Sequence, residues 1–543
     1  MRHGGKILAD HLKAYGVETV FSVPGESFLA ALDGLHDSGI RNIVCRQEGG
    51  AAMMAEAAGK LTGKPGIAFV TRGPGATNAS PGLHIAMQDS TPMILFVGQI
   101  DRGHRDREAF QEVDYRAFFG PLVKWVTEVD QTERLPEYLS RAFSVAMSGR
   151  PGPVVLALPE DMLSAQADVP DLIAPMERVT PDLNGSAERI AEALSGAENP
   201  LLIVGGSQWS PEAARDLEAF ASAWQLPVAA SFRRQDRVDN RHPCYVGDLN
   251  VVSSPALAER VRQADLLIAL GTRLGDISTG GYTMLDPARP PKLIHIHPDA
   301  DELGRVWRPA MAVQARPDDM IAALAKLPAR AGWPAQVQAG HAAYEAWRQP
   351  QQSPGAVTME RVLSHLDAAL PEDAIVTNGA GNYAGWVHRM YRWKQHGTQL
   401  APTSGSMGYG LPAAIAASVL RPDQDVICMA GDGCLQMSIN ELSTAIQHGA
   451  KPIVIVVNNG RYGTIRMHQE RSYPGRVSGT MLANPDFAAL ATAYGGVGFL
   501  VENDDDFPAA LAEARASGKM ALIELRVDED ALAPGLTLSG LAG

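Results

Sequence analysis

Short, uninterrupted runs of apolar residues alternate with helix-like segments along most of this chain, and many of these runs end at glycine. Examples are GIAFVTRGPG (66–75), PLLIVGG (200–206) and DVICMAGDG (425–433). Strands that are apolar at every position are buried on both faces, as in parallel sheets covered by helices on both sides. The sequence therefore predicts an α/β fold built from doubly wound parallel sheets.

The chain has 543 residues, which is enough for about three domains. Three blocks share the same strand–helix pattern. They are separated by the Pro- and Asp-rich residues 166–186 and by a change of composition near 328–356. We expect domains at 1–165, 186–328 and 357–530. The last residues, 531–543, have no periodicity, so this tail is expected to be mobile or to fold over a neighbouring surface.

The bulk composition excludes several classes of partner. The formal net charge is −14, and no dense Lys/Arg run is present, which argues against nucleic acid or an acidic membrane surface. No apolar stretch reaches the ~20 residues that a membrane-spanning helix needs. The four cysteines are scattered without a Cys-x-x-Cys pair, and the first residues lack the apolar core of a signal peptide. We therefore expect a soluble cytoplasmic protein with reduced structural thiols.

One carboxylate, Asp432, lies between Gly431 and Gly433, where an apolar strand turns into a helix-like segment. The next apolar strand, PIVIVV, ends at Asn458-Asn459. A strand–helix–strand unit returns its second strand to the same sheet edge, so Asp432 and Asn459 should face one another there. Such oxygen ligands suit Mg²⁺ beside a phosphate. The glycine turn alone would also fit an ordinary tight turn.

This spacing resembles the signature of the thiamine diphosphate-dependent enzymes, in which Gly-Asp-Gly is followed by a paired asparagine. The resemblance implies that the side chains of Asp432 and Asn459 and the backbone oxygen of Arg461 bind the metal. It implies thiamine diphosphate as the cofactor. It also implies three domains: a pyrimidine-binding domain, a central domain and a diphosphate-binding domain. The cofactor contacts that it implies around the metal are Gly431, Gly433, Cys434, Tyr462, Gly463 and Thr464.

The first block carries the matching half of the resemblance. RQEGGA (46–51) aligns Glu48 with the family's glutamate, which hydrogen-bonds the aminopyrimidine of the cofactor. Taken alone, Glu48 would be an acid stabilised at a helix N-terminus. TRGPGATN (71–78) resembles the family's GPGATN turn and implies contacts from Pro74 and Asn78. The strand-to-turn residues Pro24 and Gly25 are further implied contacts.

Two loops of the third block complete the implied cofactor site. NGAGNY (378–383) resembles the loop that holds the diphosphate, through Ala380, Gly381, Asn382 and Tyr383. SGSMGYGLPAA (404–414) resembles the segment under the thiazolium, with Gly405 in contact and Met407 holding the cofactor bent. Without the resemblance, Met407 would be assigned to the core.

Within the family, the chain is most similar to the acetolactate synthase branch. REAFQEVD (107–114) resembles its Ala-Phe-Gln-Glu segment and implies that Phe110 and Gln111 lie near the substrate. The chain departs from the branch at His468, where a specificity tryptophan is usual. It has YVGDLN (245–250) in place of the flavin-contacting Gly-x-His-Gly, so FAD is not favoured, although 271–276 and 295–299 resemble flavin-contacting segments. His468 is either catalytic or a polar helix residue.

We therefore predict a carboligase or decarboxylase that acts on a small 2-oxo acid or aldehyde. Residues 477–495 also resemble benzaldehyde lyase, so a thiamine diphosphate-dependent lyase or a simple 2-oxo acid decarboxylase with another substrate is an alternative. A non-catalytic regulatory subunit is an alternative of another class, and a nicotinamide oxidoreductase would need a glycine fingerprint that no block contains. The resemblance implies a homodimer or homotetramer with sites at the chain interface.

Overall fold

The computed structural model describes residues 1–170, 178–286 and 290–542. Three six-stranded sheets follow one another along the chain, and every strand pair within them is parallel. The inner strands of each sheet are buried, as the uninterrupted apolar runs predict, whereas most edge strands are partly exposed. The predicted fold class is confirmed. Residues 171–177 of the expected linker lie outside the described residues.

The N-terminal sheet has the strand order β3-β2-β4-β5-β7-β6, and β1 pairs with β8 in a separate antiparallel ribbon. The strands are β1 (Arg2–His3), β2 (Thr19–Ser22), β3 (Arg41–Val44), β4 (Gly66–Val70), β5 (Met93–Gln99), β6 (Trp125–Glu128), β7 (Pro153–Pro159) and β8 (Gln166–Ala167). The helices are α1 (Gly4–Ala14), α2 (Leu29–His36), α3 (Glu48–Thr62), α4 (Pro74–Asn78), α5 (Ser80–Asp89), α6 (Tyr115–Phe119), α7 (Leu135–Met147) and α8 (Glu160–Ser164).

The central sheet has the order β11-β10-β9-β12-β13-β14. Its strands are β9 (Pro200–Val204), β10 (Val228–Ala230), β11 (Tyr245–Asp248), β12 (Leu266–Leu270), β13 (Lys292–His297) and β14 (Met311–Gln314). Its helices are α9 (Asn184–Ser195), α10 (Pro211–Trp224), α11 (Pro255–Gln263), α12 (Pro317–Leu324) and α13 (Pro334–Arg348). Helix α13 occupies the stretch near 328–356 that was expected to separate domains. It packs on β11, where the rings of Tyr245 and Tyr344 lie 4.8 Å apart.

The C-terminal sheet has the order β16-β15-β17-β18-β20-β19. Its strands are β15 (Ile375–Asn378), β16 (Gln399–Leu400), β17 (Val426–Gly431), β18 (Ile453–Asn458), β19 (Val497–Val501) and β20 (Ala521–Arg526), and an antiparallel pair follows, β21 (Ala531–Ala533) and β22 (Leu536–Thr537). The helices are α14 (Met359–Ala369), α15 (Tyr383–Met390), α16 (Gly410–Leu420), α17 (Asp432–Gln436), α18 (Leu442–His448), α19 (Gly463–Ser472), α20 (Phe487–Ala493), α21 (Phe507–Ala516) and α22 (Leu538–Ala542).

The N- and C-terminal domains share one hydrophobic core. Helices α3 and α16 pack against each other, and their alanines, including Ala52 and Ala413, are fully buried in it. Small side chains allow close approach of the two helix backbones, which explains the small-residue composition of both helices. The N- and C-terminal domains, each of which carries part of the predicted cofactor motifs, are thereby fixed to each other.

The helix-like segment that follows Asp432 is not one continuous helix. Helix α17 ends at Gln436, a 3₁₀ turn covers Ile439–Glu441, and α18 begins at Leu442. The Ser438 hydroxyl donates to the carbonyl of Gly408 at 2.8 Å, an alternative to helical pairing. All four cysteines are buried free thiols, as expected. Within the described ranges, no helix is both long enough and apolar enough to cross a bilayer.

Candidate active site

The Gly-Asp-Gly turn and the paired asparagines meet at the carboxyl edge of the C-terminal sheet. Strands β17 and β18 are adjacent and parallel, with Gly431 opposite Val457. Asp432 Oδ2 accepts a hydrogen bond from the backbone N–H of Gly460 at 2.9 Å, which ties the two strand ends together. The predicted juxtaposition of Asp432 and Asn459 at this edge agrees with the strand order.

The Asp432 carboxylate is buried, with 3% of the residue exposed. Among the described residues, its hydrogen-bond donors are neutral: the N–H groups of Gly433 and Gly460 and the side-chain amide of Asn484. Burial raises the pKa of Asp432 above its ordinary value, because these neutral donors do not fully replace water. A cation bound at this carboxylate would supply the missing compensation.

Asn459 and Arg461 lie beside this carboxylate. Asn459 Oδ1 accepts from the Arg461 N–H at 3.2 Å, and the Arg461 guanidinium pairs with Glu529. The side chain of Arg461 is thus engaged elsewhere, while its backbone stays next to Asn459. No group of three or more His, Cys, Asp or Glu side chains suited to a metal occurs among the described residues. The carboxylate and amide oxygens here fit Mg²⁺, which prefers hard oxygen ligands and keeps bound water.

A cavity of about 260 Å³ opens at this edge. Every cofactor contact predicted in the C-terminal domain lines it: Ala380, Gly381, Asn382, Tyr383, Gly405, Met407, Gly431, Asp432, Gly433, Cys434, Asn459, Arg461, Tyr462, Gly463 and Thr464. A Cβ added to Gly433 would lie 2.5 Å from the Tyr462 ring, so only glycine fits there. The backbone is therefore exposed to the cavity, as a diphosphate cradle requires.

Side chains around the cavity fix one another. Thr464 Oγ1 donates to Asn382 Oδ1 at 2.9 Å and accepts from the Asn382 N–H at 3.0 Å. The Tyr383 hydroxyl accepts from the Gly379 N–H at 3.0 Å, and burial raises the pKa of Tyr383 well above its ordinary value. The hydroxyl therefore stays protonated and acts as a neutral hydrogen-bonding group beside the predicted diphosphate loop.

The residues predicted in the N-terminal domain form a separate cluster at the carboxyl edge of their own sheet. Glu48 begins α3 and is half-buried, and its Oε2 accepts from Asn78 Nδ2 at 3.0 Å. An ideal Cβ on Gly25 would lie 2.4 Å from Thr71, which holds the Pro24-Gly25 turn against the 71–78 loop. Pro74 begins α4 in that loop. No described residue of this domain lines the C-terminal cavity, so the two halves do not meet within one chain.

Two predicted catalytic residues lie apart from the cavity lining. Gln111 has a left-handed backbone (φ 66°) and packs against Gly73 of the N-terminal cluster, beside Phe110, which is 75% exposed. His468 is exposed on α19. The structure thus brings Gln111 to the Glu48 side and leaves His468 on the surface near the C-terminal half.

Sequence reasoning missed several residues of the site. Asn484 binds Asp432 from a loop, and the tail contributes Ala531 and Leu532 to the cavity wall. The expectation that the tail folds over a neighbouring surface is therefore correct, because β21, β22 and α22 cover the C-terminal domain. No strand or helix pattern leads to Asn484. The sequence signal that could have drawn attention to it is its position directly before Pro485 in a loop.

The loops at the carboxyl edge of the central sheet pack closely on each other and on the neighbouring domains. The loops after β9 and β12 touch, so that a Cβ on Gly206 would lie 2.0 Å from the Gly271 carbonyl. The arginines after β10 bind protein groups, since Arg234 donates to the Gly206 carbonyl and to Asp89, and Arg233 donates to the Pro402 carbonyl. These two arginines therefore join the central domain to the N-terminal and C-terminal domains.

A glycine-lined cavity with an uncompensated carboxylate at a parallel sheet edge is typical of enzymes that hold a phosphate-bearing cofactor through a divalent cation. Family models specify the cofactor. Residues 2–118 match the N-terminal TPP binding domain of thiamine pyrophosphate enzymes, residues 187–324 match their central domain, and residues 379–525 match their C-terminal TPP binding domain. Thiamine pyrophosphate is the same compound as thiamine diphosphate.

Similar proteins cover almost the whole chain. The acetolactate synthase isozyme 2 large subunit of Escherichia coli is 32% identical, over 97% of this chain and 96% of its own length. The acetolactate synthase large subunit of Parasynechococcus marenigrum is also 32% identical, over 96% and 87%. The mitochondrial acetolactate synthase catalytic subunit of Saccharomyces cerevisiae is 31% identical, over 97% and 81%. The chain belongs to the thiamine pyrophosphate enzyme family, and the prediction of a thiamine diphosphate-dependent enzyme of the acetolactate synthase type is confirmed.

Proposed function

We propose that this protein condenses two molecules of pyruvate to acetolactate with release of one CO₂ and uptake of one proton. The observation that carries the proposal is the cavity at the C-terminal sheet edge, which gathers every predicted diphosphate and metal residue of that domain. The near-complete coverage of acetolactate synthase large subunits supports the same reaction. When bound, thiamine diphosphate supplies the carbon nucleophile and the electron sink that let a 2-oxo acid lose CO₂.

Asp432, Asn459 and the backbone oxygen of Arg461 hold Mg²⁺ in this proposal. The support is the buried Asp432 carboxylate, which has only neutral hydrogen-bond donors in the described residues. The Asp432 carboxylate would hold a divalent cation that compensates its charge and that of the diphosphate, and backbone N–H groups after Gly431 that are not already bonded would bind phosphate oxygens. The remaining coordination positions suit phosphate oxygens and water.

Met407 and the loops around it orient the cofactor. Met407 lines the cavity and is partly buried against the C-terminal core, so its side chain is supported from behind. A bulky, supported side chain restricts the conformations available to a bound two-ring molecule. The hydrogen-bonded pair Asn382–Thr464 also lines the cavity.

Glu48 holds a proton shared with the aminopyrimidine of the cofactor. In one chain, Glu48 does not line the cavity, and we propose that a second copy of the chain brings its Glu48 to it. Exposed apolar side chains beside both halves support such an interface, since Phe110 is 75% exposed and Met481 is 65% exposed. The homodimer is the smallest assembly that completes the site, and a homotetramer would repeat it.

Gln111 and His468 are placed near the substrate in this proposal. Gln111 lies with the Glu48 cluster, and its left-handed backbone conformation turns the chain within the loop 107–114. His468 is exposed on α19, which begins at the cavity-lining Gly463, so a partner chain could bury it. The four buried free thiols suit a reducing cytoplasm.

The test is a product analysis by NMR with labelled pyruvate, thiamine diphosphate and Mg²⁺. Acetolactate formation at the rate of CO₂ release supports the proposal. Acetaldehyde as the only product would replace it with a simple decarboxylase, and unchanged pyruvate would contradict pyruvate as the donor. The lyase and the non-catalytic subunit are not favoured by the comparisons.

A further inference from the structure

The segment 401–403 is held by side chains from the other two domains at three successive residues. Lys60 Nζ donates to the Ala401 carbonyl at 3.3 Å, and Arg233 Nη1 donates to the Pro402 carbonyl. The N–H of Thr403 donates to Asp89 Oδ1 at 2.9 Å. This segment follows the short edge strand β16 and precedes the cavity-lining Gly405, so its regular pairing ends just before the site.

Lys60 and Asp89 belong to one buried charge network. Lys60 Nζ lies 2.7 Å from Asp89 Oδ2 and 3.0 Å from Glu56 Oε1. The Tyr409 hydroxyl donates to Glu56 Oε2 at 2.6 Å and accepts from Lys60 Nζ at 3.3 Å. Arg234 adds a second cation against Asp89. The network therefore joins all three domains and reaches the C-terminal domain on both sides of 404–408.

The charges of this network are balanced internally. Burial disfavours ionisation of Asp89, but the Lys60 and Arg234 cations outweigh it and hold the pKa of Asp89 below its ordinary value. Burial raises the pKa of Glu56, although Lys60 opposes that effect. Two cations face two carboxylates, so no charge remains to attract a ligand from solvent. The network therefore has a structural role: it attaches residues 401–403 and Tyr409 to the other two domains.

Residues 404–408 are held within the C-terminal domain mainly at Gly408, whose N–H donates to Cys434 Sγ at 3.2 Å and whose carbonyl accepts from Ser438 at 2.8 Å. Gly405 and Gly408 both have left-handed backbones, with φ values of 68° and 78°, and no helix or strand lies between β16 and α16. The hydroxyls of Thr403 and Ser404 are buried without a partner in the described residues. The position of Met407 therefore depends on its packing against the C-terminal core and on the anchored ends of the segment.

We infer that Lys60, Asp89 and Tyr409 are positioning residues for the cofactor, acting through the 404–408 segment. They touch no residue predicted to bind the metal, and they hold Met407 at a fixed distance from the diphosphate half of the cavity. The inference rests on the assignment of the cavity to thiamine diphosphate. Lys60 and Asp89 of the N-terminal domain would thus act on the C-terminal half of the site in the same chain.

The test compares two substitutions that each remove one hydrogen bond to Glu56. Tyr409→Phe removes the donor on the cofactor segment, whereas Thr91→Val removes the donor on the N-terminal side, a bond of 2.7 Å. Binding of thiamine diphosphate with Mg²⁺ is followed by quenching of tryptophan fluorescence, because Trp386 lines the cavity. We expect Tyr409→Phe to raise the dissociation constant about tenfold, the loss of one hydrogen bond to a charged group, and Thr91→Val to change it less than about twofold.

Thermal unfolding of the same samples separates positioning from stability. Both variants lose one buried bond to the same carboxylate, and Tyr409→Phe also loses the weaker bond from Lys60, so we expect a decrease in Tm for both variants that is somewhat larger for Tyr409→Phe. Equal effects of the two variants on the dissociation constant would overturn the inference. Lys60→Arg, which keeps the positive charge, should retain cofactor affinity, and a loss as large as that of Tyr409→Phe would also contradict the role of the charge. Wild-type protein that fails to bind thiamine diphosphate would contradict the proposed function as well.

Discussion

The side-chain amide of Asn484 bridges the two strand ends of the site, donating to Asp432 Oδ2 at 2.7 Å and to Asn458 Oδ1 at 2.8 Å. Asn458 in turn donates to Glu524 on the neighbouring strand β20 at 2.8 Å. One carboxylate oxygen is thereby held in a single orientation before any cation arrives. Partners of this kind orient a metal ligand without contacting the metal.

Replacement of Asn484 by alanine is expected to weaken Mg²⁺-dependent cofactor binding about 10- to 100-fold, as for other groups that orient metal ligands. The measurement is calorimetric titration of the protein with thiamine diphosphate at fixed Mg²⁺. Asn503→Ala is the control, because Asn503 lies on the surface, where it contacts Asp506. Equal affinities of the Asn484 and Asn503 variants would contradict the role given to Asn484.

Cofactor binding should depend on pH through Asp432. Protons compete with Mg²⁺ for this carboxylate, and burial raises the pKa of Asp432 in the free protein. Affinity should be full above that pKa and fall as the pH drops through it, at a higher pH than an exposed aspartate would give. Titrations across the acid range check this, and an affinity that stays constant below the range of an ordinary aspartate would refute it.

Substitution of Gly433 by alanine should disrupt the cradle. The added Cβ would lie 2.5 Å from the Tyr462 ring. Overpacking of this kind forces neighbouring groups to shift and lowers the free energy of unfolding by about 1–3 kcal/mol. We expect at least about a tenfold loss of cofactor affinity from displaced cavity walls. Gly185→Ala is the matched control, since nothing lies within 4 Å of its added Cβ. The two variants are compared by cofactor titration, and an unimpaired Gly433 variant would exclude a close approach at this position.

A site shared between two copies makes a specific prediction for mixtures. Glu48→Gln and Asp432→Asn should each be inactive alone. Refolding an equal mixture should restore about a quarter of wild-type activity, because half of the dimers are mixed and each holds one intact site. The measurement is acetolactate formation by the mixture, with each variant refolded alone as the control. A mixture that stays inactive would place both residues in one chain's own site.

The C-terminal half of the site could be predicted because its residues follow buried strands. Asp432 directly follows β17 and Asn459 directly follows β18, and parallel strands joined through a helix return to one edge. The position of Glu48 could be predicted for a related reason, since it begins a helix that follows a strand. Local sequence thus determined which residues lie at the edges of the two sheets.

Other parts depend on contacts that sequence does not reveal. Asn484 reaches Asp432 across 52 positions from a loop without periodicity, and the break between α17 and α18 follows from Ser438 binding Gly408. The Lys60–Asp89 network arises from packing of three domains, whose relative placement no local pattern encodes. The separation of Glu48 from the cavity likewise follows from how the domains of one chain pack.

The central claim is that Asp432 holds a divalent cation against the cofactor diphosphate. The most direct measurement is the affinity for thiamine diphosphate with and without Mg²⁺, in the wild-type protein and in Asp432→Ala. The account predicts tight binding by the wild type only when Mg²⁺ is present, and weak binding by the variant that Mg²⁺ does not improve. Tight binding that is independent of Mg²⁺, or unchanged in the variant, would contradict it.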